Sequence, residues 1–202
     1  MKVLLVNASP RREGNTYRAL CEVSRQLENR GVESEIVQLG VKPVRSCIAC
    51  NQCLEKELGR CVFDDDMCNR VSEKMAECDG FIIGSPVYYG QPTGAALSLV
   101  QRMFYSAGHL FQNKPAASIA VCRRGGATAA LQTLMMPFQL KNMPLVTSQY
   151  WNIVYGLNKG EAKLDVEGMQ TMRQLARNMA WLLKNNAQVP AEEEWQPMHF
   201  IR

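Results

Sequence analysis

Short, nearly unbroken apolar runs alternate with longer segments whose apolar positions recur every three or four residues. Val3 to Val6, Phe81 to Ile83 and Ala116 to Cys122 are runs of the first kind, the pattern of strands buried on both faces. Gly84-Ser85-Pro86 ends the second of these. Val32 to Leu39 alternates loosely and reads as another strand, and Leu145 to Ser148 as a short fifth one. Leu20, Val23 and Leu27 predict a helix over Thr16 to Arg30, stopped by Gly31. Asp64, Asp65 and Asp66 suit the start of a second helix, because carboxylates favour a helix N-terminus. Its buried stripe is Met67, Val71, Met75 and Cys78. A third helix, about Thr93 to Tyr105, carries Ala96, Leu99, Val100 and Met103 on one face. A fourth carries Ala127, Ala130, Leu131 and Leu134, and Pro137 is expected to end or kink it. The last runs from about Asp165 to Lys184, with Val166, Met169, Met172, Ala176, Met179 and Leu183 facing inward.

This alternation predicts an α/β domain: a doubly wound, five-stranded parallel sheet with helices on both faces. One domain spans residues 1–187 and a tail spans 188–202, with Glu192, Glu193 and Glu194 as a solvated run. Residues 40–64 fit no period and read as an inserted loop.

Composition narrows the class. With 202 residues, 47% hydrophobic and 21% charged, the chain is long and apolar enough to bury a core unaided, which excludes disorder, collagen and coiled coil. A net charge of +4 without a basic block argues against nucleic acid. The first apolar run is too short for a signal peptide, and no run is long enough for a membrane span. The expected compartment is the cytoplasm. There, eight cysteines point to metal or redox chemistry rather than disulfides.

In open α/β sheets, ligands bind outside the carboxyl ends of the strands. The loop after the first strand reads Ala8-Ser9-Pro10-Arg11-Arg12-Glu13-Gly14-Asn15-Thr16. Its hydroxyls, guanidinium groups and run of backbone amides at a helix start suit a phosphate. It is neither a Walker loop nor the dinucleotide fingerprint. Ser85-Pro86-Val87-Tyr88-Tyr89-Gly90 forms a rigid turn with two aromatic faces, suited to a planar ring. Arg123-Arg124-Gly125-Gly126 lets backbone approach a ligand closely. Tyr150-Trp151-Asn152 pads a ligand edge, a subunit contact or the core. The two histidines, His109 and His199, read as structural.

Cys47, Cys50, Cys53 and Cys61 form a C-x2-C-x2-C-x7-C array. Three thiols at steps of three, closed by a fourth, resemble the compact spacing that ligates a cubane iron–sulfur cluster. Zinc, or a thiol loop without metal, are the alternatives. Cys21, Cys78 and Cys122 read as buried hydrophobes; Cys68, at a helix start, fits either group.

The first loop and the segment Gly84 to Gly90 resemble the flavin loops of the NADPH-dependent FMN reductase family, and the cysteine array resembles its iron–sulfur flavoproteins. The resemblance covers roughly residues 1 to 185. It implies a flavodoxin-like strand order 2-1-3-4-5 and FMN as cofactor. The phosphate would lie on Ser9, Arg11, Asn15 and Thr16. The ring would lie against Pro86 to Gly90 and the Gly125-Gly126 loop, with Pro10, Gly14, Ser85 and Arg124 as further cofactor-binding positions. It also implies a homodimer or homotetramer.

The leading expectation is therefore an oxidoreductase passing reducing equivalents from NAD(P)H through FMN to a second acceptor such as a flavin or quinone. The alternative is an iron–sulfur flavoprotein exchanging single electrons between a ferredoxin-like partner, a [4Fe-4S] cluster on the four cysteines, and FMN. A non-enzymatic flavodoxin-like carrier is disfavoured by the positive charge, since such carriers dock through acidic surfaces. A zinc or thiol regulatory protein is the remaining class.

Overall fold

The computed structural model describes residues 1–185 and 189. The strands are β1 (Lys2–Asn7), β2 (Glu33–Gln38), β3 (Gly80–Pro86), β4 (Ala116–Cys122) and β5 (Ile153–Tyr155). The helices are α1 (Asn15–Glu28), the single turn α2 (Gln52–Glu55), α3 (Cys68–Glu77), α4 (Gly94–Ala107), α5 (Ala127–Leu140) and α6 (Val166–Asn185). All strand pairs are parallel and the sheet order is β2-β1-β3-β4-β5, the expected flavodoxin-like order.

Alternate strand residues feed two cores, one on each side of the sheet. Leu4, Val6, Phe81 and Ile83 pack against α3, α4 and α5. Val3, Leu5, Ile82 and Ile119 pack against α1 and α6. Burial on both faces is what a continuous apolar strand requires, and it fixes the carboxyl ends of β1, β3 and β4 side by side.

Four expectations are corrected. The fifth strand is Ile153–Tyr155, not Leu145 to Ser148. Leu145 makes only an isolated bridge to Ala116, and the chain then leaves the sheet before Asn152 brings it back to Ala120. Tyr150-Trp151-Asn152 accordingly precedes the strand. Asn152 holds the detour, accepting from the Ser148 hydroxyl (2.8 Å) and donating to the Val146 carbonyl (3.4 Å).

The third strand does not stop at Gly84 but runs to Pro86, paired with Val121. The β1 pairing has already ended at Gly84, and the neighbouring Val87 N–H bonds towards β4, so the missing N–H of Pro86 breaks no ladder bond.

Pro137 does not end its helix, which continues to Leu140. Pro137 has no N–H to give the Thr133 carbonyl, and Phe138 anchors the following turn in the core against Phe81 and Phe104 at 5.8 and 5.6 Å. On α6, Val166 is exposed; Thr171 and Leu175 are buried with Met172, Ala176 and Met179. The tail 188–202, including His199 and Glu192 to Glu194, lies outside the described residues except for Val189.

Candidate functional site

The carboxyl ends of β1, β3 and β4 open into a cleft of about 180 Å³. Its wall contains Ser9, Arg11, Gly14, Asn15, Thr16, Pro86, Val87 and Tyr88, together with Val121, Cys122, Arg123, Gly156 and Leu157. The wall has two guanidinium groups and no carboxylate, so its electrostatics favour an anion.

The loop after β1 is held by its own polar groups. Asn7 Oδ1 accepts from the Ser9 N–H at 3.2 Å, and Ser9 Oγ accepts from the Arg11 N–H at 3.1 Å. Gln38 on β2 donates to the Ser9 carbonyl at 2.6 Å and accepts from the Asn7 amide at 2.5 Å. Gly14 caps α1, whose first turn carries no acidic residue. The helix therefore presents its positive end and unpaired N–H groups to the cleft. Asn7 and Gln38 were not singled out in the sequence; polar residues at the carboxyl ends of two neighbouring strands were the available signal.

The structure places the expected residues unequally. Asn15 lines the cleft, but its side chain reaches across to the segment after β5. It donates to the Asn158 carbonyl at 2.9 Å and accepts from the N–H groups of Gly160 and Ala162 at 3.1 and 3.2 Å. Ser85 is buried, and its hydroxyl accepts from the Thr93 N–H at 3.0 Å and donates to the Pro86 carbonyl at 2.9 Å. Thr93 in turn donates to the Ala8 carbonyl at 3.0 Å and caps α4. Ser85 thus ties the β1 and β3 loops together from below. Pro10, Tyr89, Gly90, Arg124, Gly125 and Gly126 lie outside the cleft wall.

Tyr88 and Gln91 bond each other backbone to backbone at 2.9 and 3.0 Å, closing a turn whose tip is Tyr89 and Gly90. Both tip residues have positive φ, and Tyr89 is fully exposed. Gly126 (φ +84°) meets this turn so closely that a Cβ there would sit 2.7 Å from the Gly90 Cα. Only glycine fits such a contact. Burial pushes the Cys122 thiol up, so it faces the cleft protonated at neutral pH.

A second site lies on the outer side of α4. Cys47, Cys50, Cys53 and Cys61 all line one pocket, with Phe63, Arg102 and Tyr105. The loop reaches this shape through left-handed residues, Ala49 (φ 52°) and Asn51 (φ 57°), set between successive cysteines. Cys47 Sγ accepts from the Ala49 N–H at 3.4 Å. Burial pushes the Cys53 thiol up.

Ser98, Arg102 and Tyr105, at positions i, i+4 and i+7, form the stripe of α4 that receives the loop. Ser98 pairs with Ser46 at 2.8 Å, Arg102 donates to the Arg45 carbonyl at 3.0 Å, and Tyr105 donates to Asn51 at 2.7 Å. Asn69 on α3, 1% exposed, accepts from the Cys61 N–H at 3.0 Å and donates to the Cys61 carbonyl at 2.9 Å. None of these positioning residues was picked out in the sequence. A polar stripe inside an otherwise apolar helix was the signal.

As to metal, the donor chemistry is right but the spacing is not that of one ion. Among the described residues, no three His, Cys, Asp or Glu side chains converge tightly enough to hold a single ion. A zinc site needs all its sulfurs at about 2.3 Å from one point. A cluster takes each thiolate on a different iron and so accepts a wider ring. The cavity enclosed between these side chains is only about 10 Å³. Seating a cluster therefore requires the thiol rotamers or the loop to open outward. The wall holds one cation and no carboxylate, which fits an anionic group.

Comparison with known proteins follows the same lines. Residues 1–157 match the family model of NADPH-dependent FMN reductase. The chain belongs to this family. An iron–sulfur flavoprotein of Methanocaldococcus jannaschii is 34% identical over 192 residues, covering 91% of this chain and 98% of that protein. One from Methanosarcina thermophila is 28% identical over 188 residues, covering 91% and 96%. Among solved structures, RosB with a bound 8-demethyl-8-formylriboflavin-5'-phosphate intermediate superposes with a TM-score of 0.70 at 18% identity, covering 92% of this chain and 79% of that one. A WrbA-like flavodoxin from Agrobacterium tumefaciens gives 0.65 at 14%, covering 92% and 98%. These two likenesses establish the flavodoxin-like fold alone. Among the described residues, no helix is long and apolar enough to cross a membrane.

Proposed function

We propose that this member of the FMN reductase family is an oxidoreductase of the iron–sulfur flavoprotein kind, with FMN in the cleft and a [4Fe-4S] cluster on Cys47, Cys50, Cys53 and Cys61. The observation that carries this reading is that all four thiols line one pocket. When bound, FMN supplies hydride and single-electron chemistry, and the cluster supplies single-electron storage.

The chain's own residues would divide the work. Ser9 and Arg11, with the N–H groups at the start of α1, would bind the phosphate. Asn15 would contribute through its backbone, its side chain being engaged with residues 158–162. The cleft is smaller than a typical site for a drug-sized ligand, about 300–1,000 Å³. It suits the phosphate and ribityl portion, leaving the ring to the turn of Pro86 to Gly90 and to Gly126.

Thr93 lies at one end of α4, near the cleft, and Tyr105 lies twelve residues on, about 18 Å along the helix axis. The two sites share no wall residue, and α4 meets the cysteine loop from Ser98 through Arg102 to Tyr105. Electron exchange with a ferredoxin-like or small-molecule partner belongs to the same reading, as does assembly into a homodimer or homotetramer.

A direct test is the absorption spectrum of anaerobically purified protein, with FMN and iron quantified on the same sample. Flavin with about four irons per chain is the expected result. Flavin without iron would leave the NAD(P)H-linked FMN reductase, a reading favoured by Arg11 and Arg12 in a second pocket that adjoins the cleft at Arg11 and Gly14. No flavin after reconstitution would overturn both.

A further inference from the structure

Arg102 is an unusual residue to find inside α4. It is 1% exposed, and its guanidinium belongs to the wall of the four-thiol pocket. One Nη donates to the Arg45 carbonyl at 3.0 Å, at the entrance to the cysteine loop. The other donates to Asp66 Oδ1, just beyond the loop's exit. Asp66 in turn accepts from the N–H of Arg45 (2.9 Å) and from that of Cys68 (2.9 Å). Both ends of the segment carrying all four thiols thus meet on one buried ion pair. Among its other N–H groups, Nε is buried with no hydrogen-bond partner, and the guanidinium also lies beside the Cys68 thiol.

A buried cation with an unused donor is costly unless something anionic completes it. Asp66 answers part of the charge, but it is not in the pocket wall. Four thiolates around an iron–sulfur group make an anion, and each one-electron reduction adds another negative charge. A fixed cation in a low-dielectric wall stabilises the reduced form more than the oxidised one. Buried partners outside the ligand set commonly tune a metal group in this way.

We propose that Arg102 is the positioning and charge-setting residue of the cysteine pocket: it buckles the two ends of the loop through Arg45 and Asp66 and raises the reduction potential of the group the thiols hold. This inference rests on the iron–sulfur reading above.

The test is an anaerobic redox titration, followed by electron paramagnetic resonance, of the full chain reconstituted with iron and sulfide, in wild type, Arg102→Lys, Arg102→Gln and Asp66→Asn. Iron per chain is measured on each sample. Arg102→Lys keeps the charge and should retain iron with a potential close to wild type. Arg102→Gln should lower the potential, so that at a fixed solution potential the reduced-to-oxidised ratio falls about tenfold, or about 59 mV for one electron. Asp66→Asn leaves the cation less compensated and should shift the ratio the other way. It also reports if Arg102→Gln fails to fold.

Equal potentials in wild type, Arg102→Gln and Asp66→Asn would overturn the charge-setting role. So would a fall in Arg102→Lys as large as in Arg102→Gln. Wild type that takes up no iron would instead overturn the iron–sulfur reading itself, and the proposal with it.

Discussion

The two candidate sites are built on opposite plans. The cleft stands on the carboxyl ends of three paired strands, and its loops are laced by backbone and by Asn7, Gln38, Ser85 and Thr93. The thiol pocket stands on a long irregular loop that contributes little core and is pinned to α4 and α3 by Arg102, Tyr105 and Asn69. The first plan makes a site whose shape follows from the fold. The second makes a site whose shape depends on a few buried polar groups and on whatever the thiols bind. Perturbing one should leave the other intact, and that independence can be tested.

The largest effect is expected from removing two thiols. Cys53→Ser with Cys61→Ser should drop iron from about four per chain to below one while leaving FMN content unchanged. Loss of flavin in that variant, seen in the same absorption spectrum, would break the separation between the sites. The reciprocal change is Gly126→Val. A side chain there meets the Gly90 backbone at 2.7 Å, in a left-handed conformation that costs about 1–3 kcal/mol. FMN affinity by fluorescence titration should weaken about tenfold or more, with iron content unaltered.

Asn69→Ala comes next. It strips buried partners from the Cys61 backbone, a loss of about 1–3 kcal/mol. For a chain of this size the melting temperature should fall by about 2–12 °C, read by circular dichroism. An unchanged melting temperature would mean that Asn69 does not hold the loop.

Asp66 provides the pH dependence. Burial would raise its carboxyl, but the bonds from Arg102 and from the Cys68 and Arg45 N–H groups prevail and hold it below the usual range. A carboxyl depressed in the folded state stabilises that state above its unfolded value of about 3.9, and the contribution is lost as pH falls through the lower folded value. Thiol reactivity in the metal-free protein, followed with an acid-active disulfide reagent, should therefore stay flat down to about pH 4 and rise below it. Asp66→Asn should react fast across the whole range.

The smallest effect is expected at Lys159, whose ion pair with Glu13 at 3.0 Å is exposed on both sides. Lys159→Ala should leave melting temperature and iron content within error, since exposed pairs contribute little.

The same contrast explains what the sequence made legible. The strands Val3 to Val6 and Ala116 to Cys122 announced themselves because burial on both faces demands unbroken apolar runs. The loop from Ser9 to Thr16 stands out because hydroxyls, arginines and a helix start follow one another in sequence, and the fold brings Ser9, Arg11 and Thr16 to the cleft wall. The four cysteines were readable from spacing alone. The residues that position them were not, because Asn69, Arg102 and Asp66 meet the loop only across the fold. Ser85 and Asn15 were assigned to a ligand from their place in the loops, while their side chains serve other segments; no local pattern distinguishes those uses. The fifth strand was misplaced because Leu145 and Val146 do touch β4 at Ala116, and an apolar pair that docks without continuing resembles a strand in one dimension.

That detour between Val146 and Asn152 also bears on how far the sheet can be extended at its β5 edge. β5 is an edge, and a full-length strand there would offer a ladder of open amides to any passing extended chain. The sheet instead shows three residues of strand, beside a loop that bulges away carrying Tyr150 and Trp151. A neighbour trying to extend the sheet at β5 would find too few consecutive partners in register, whereas the opposite edge, β2, offers six residues.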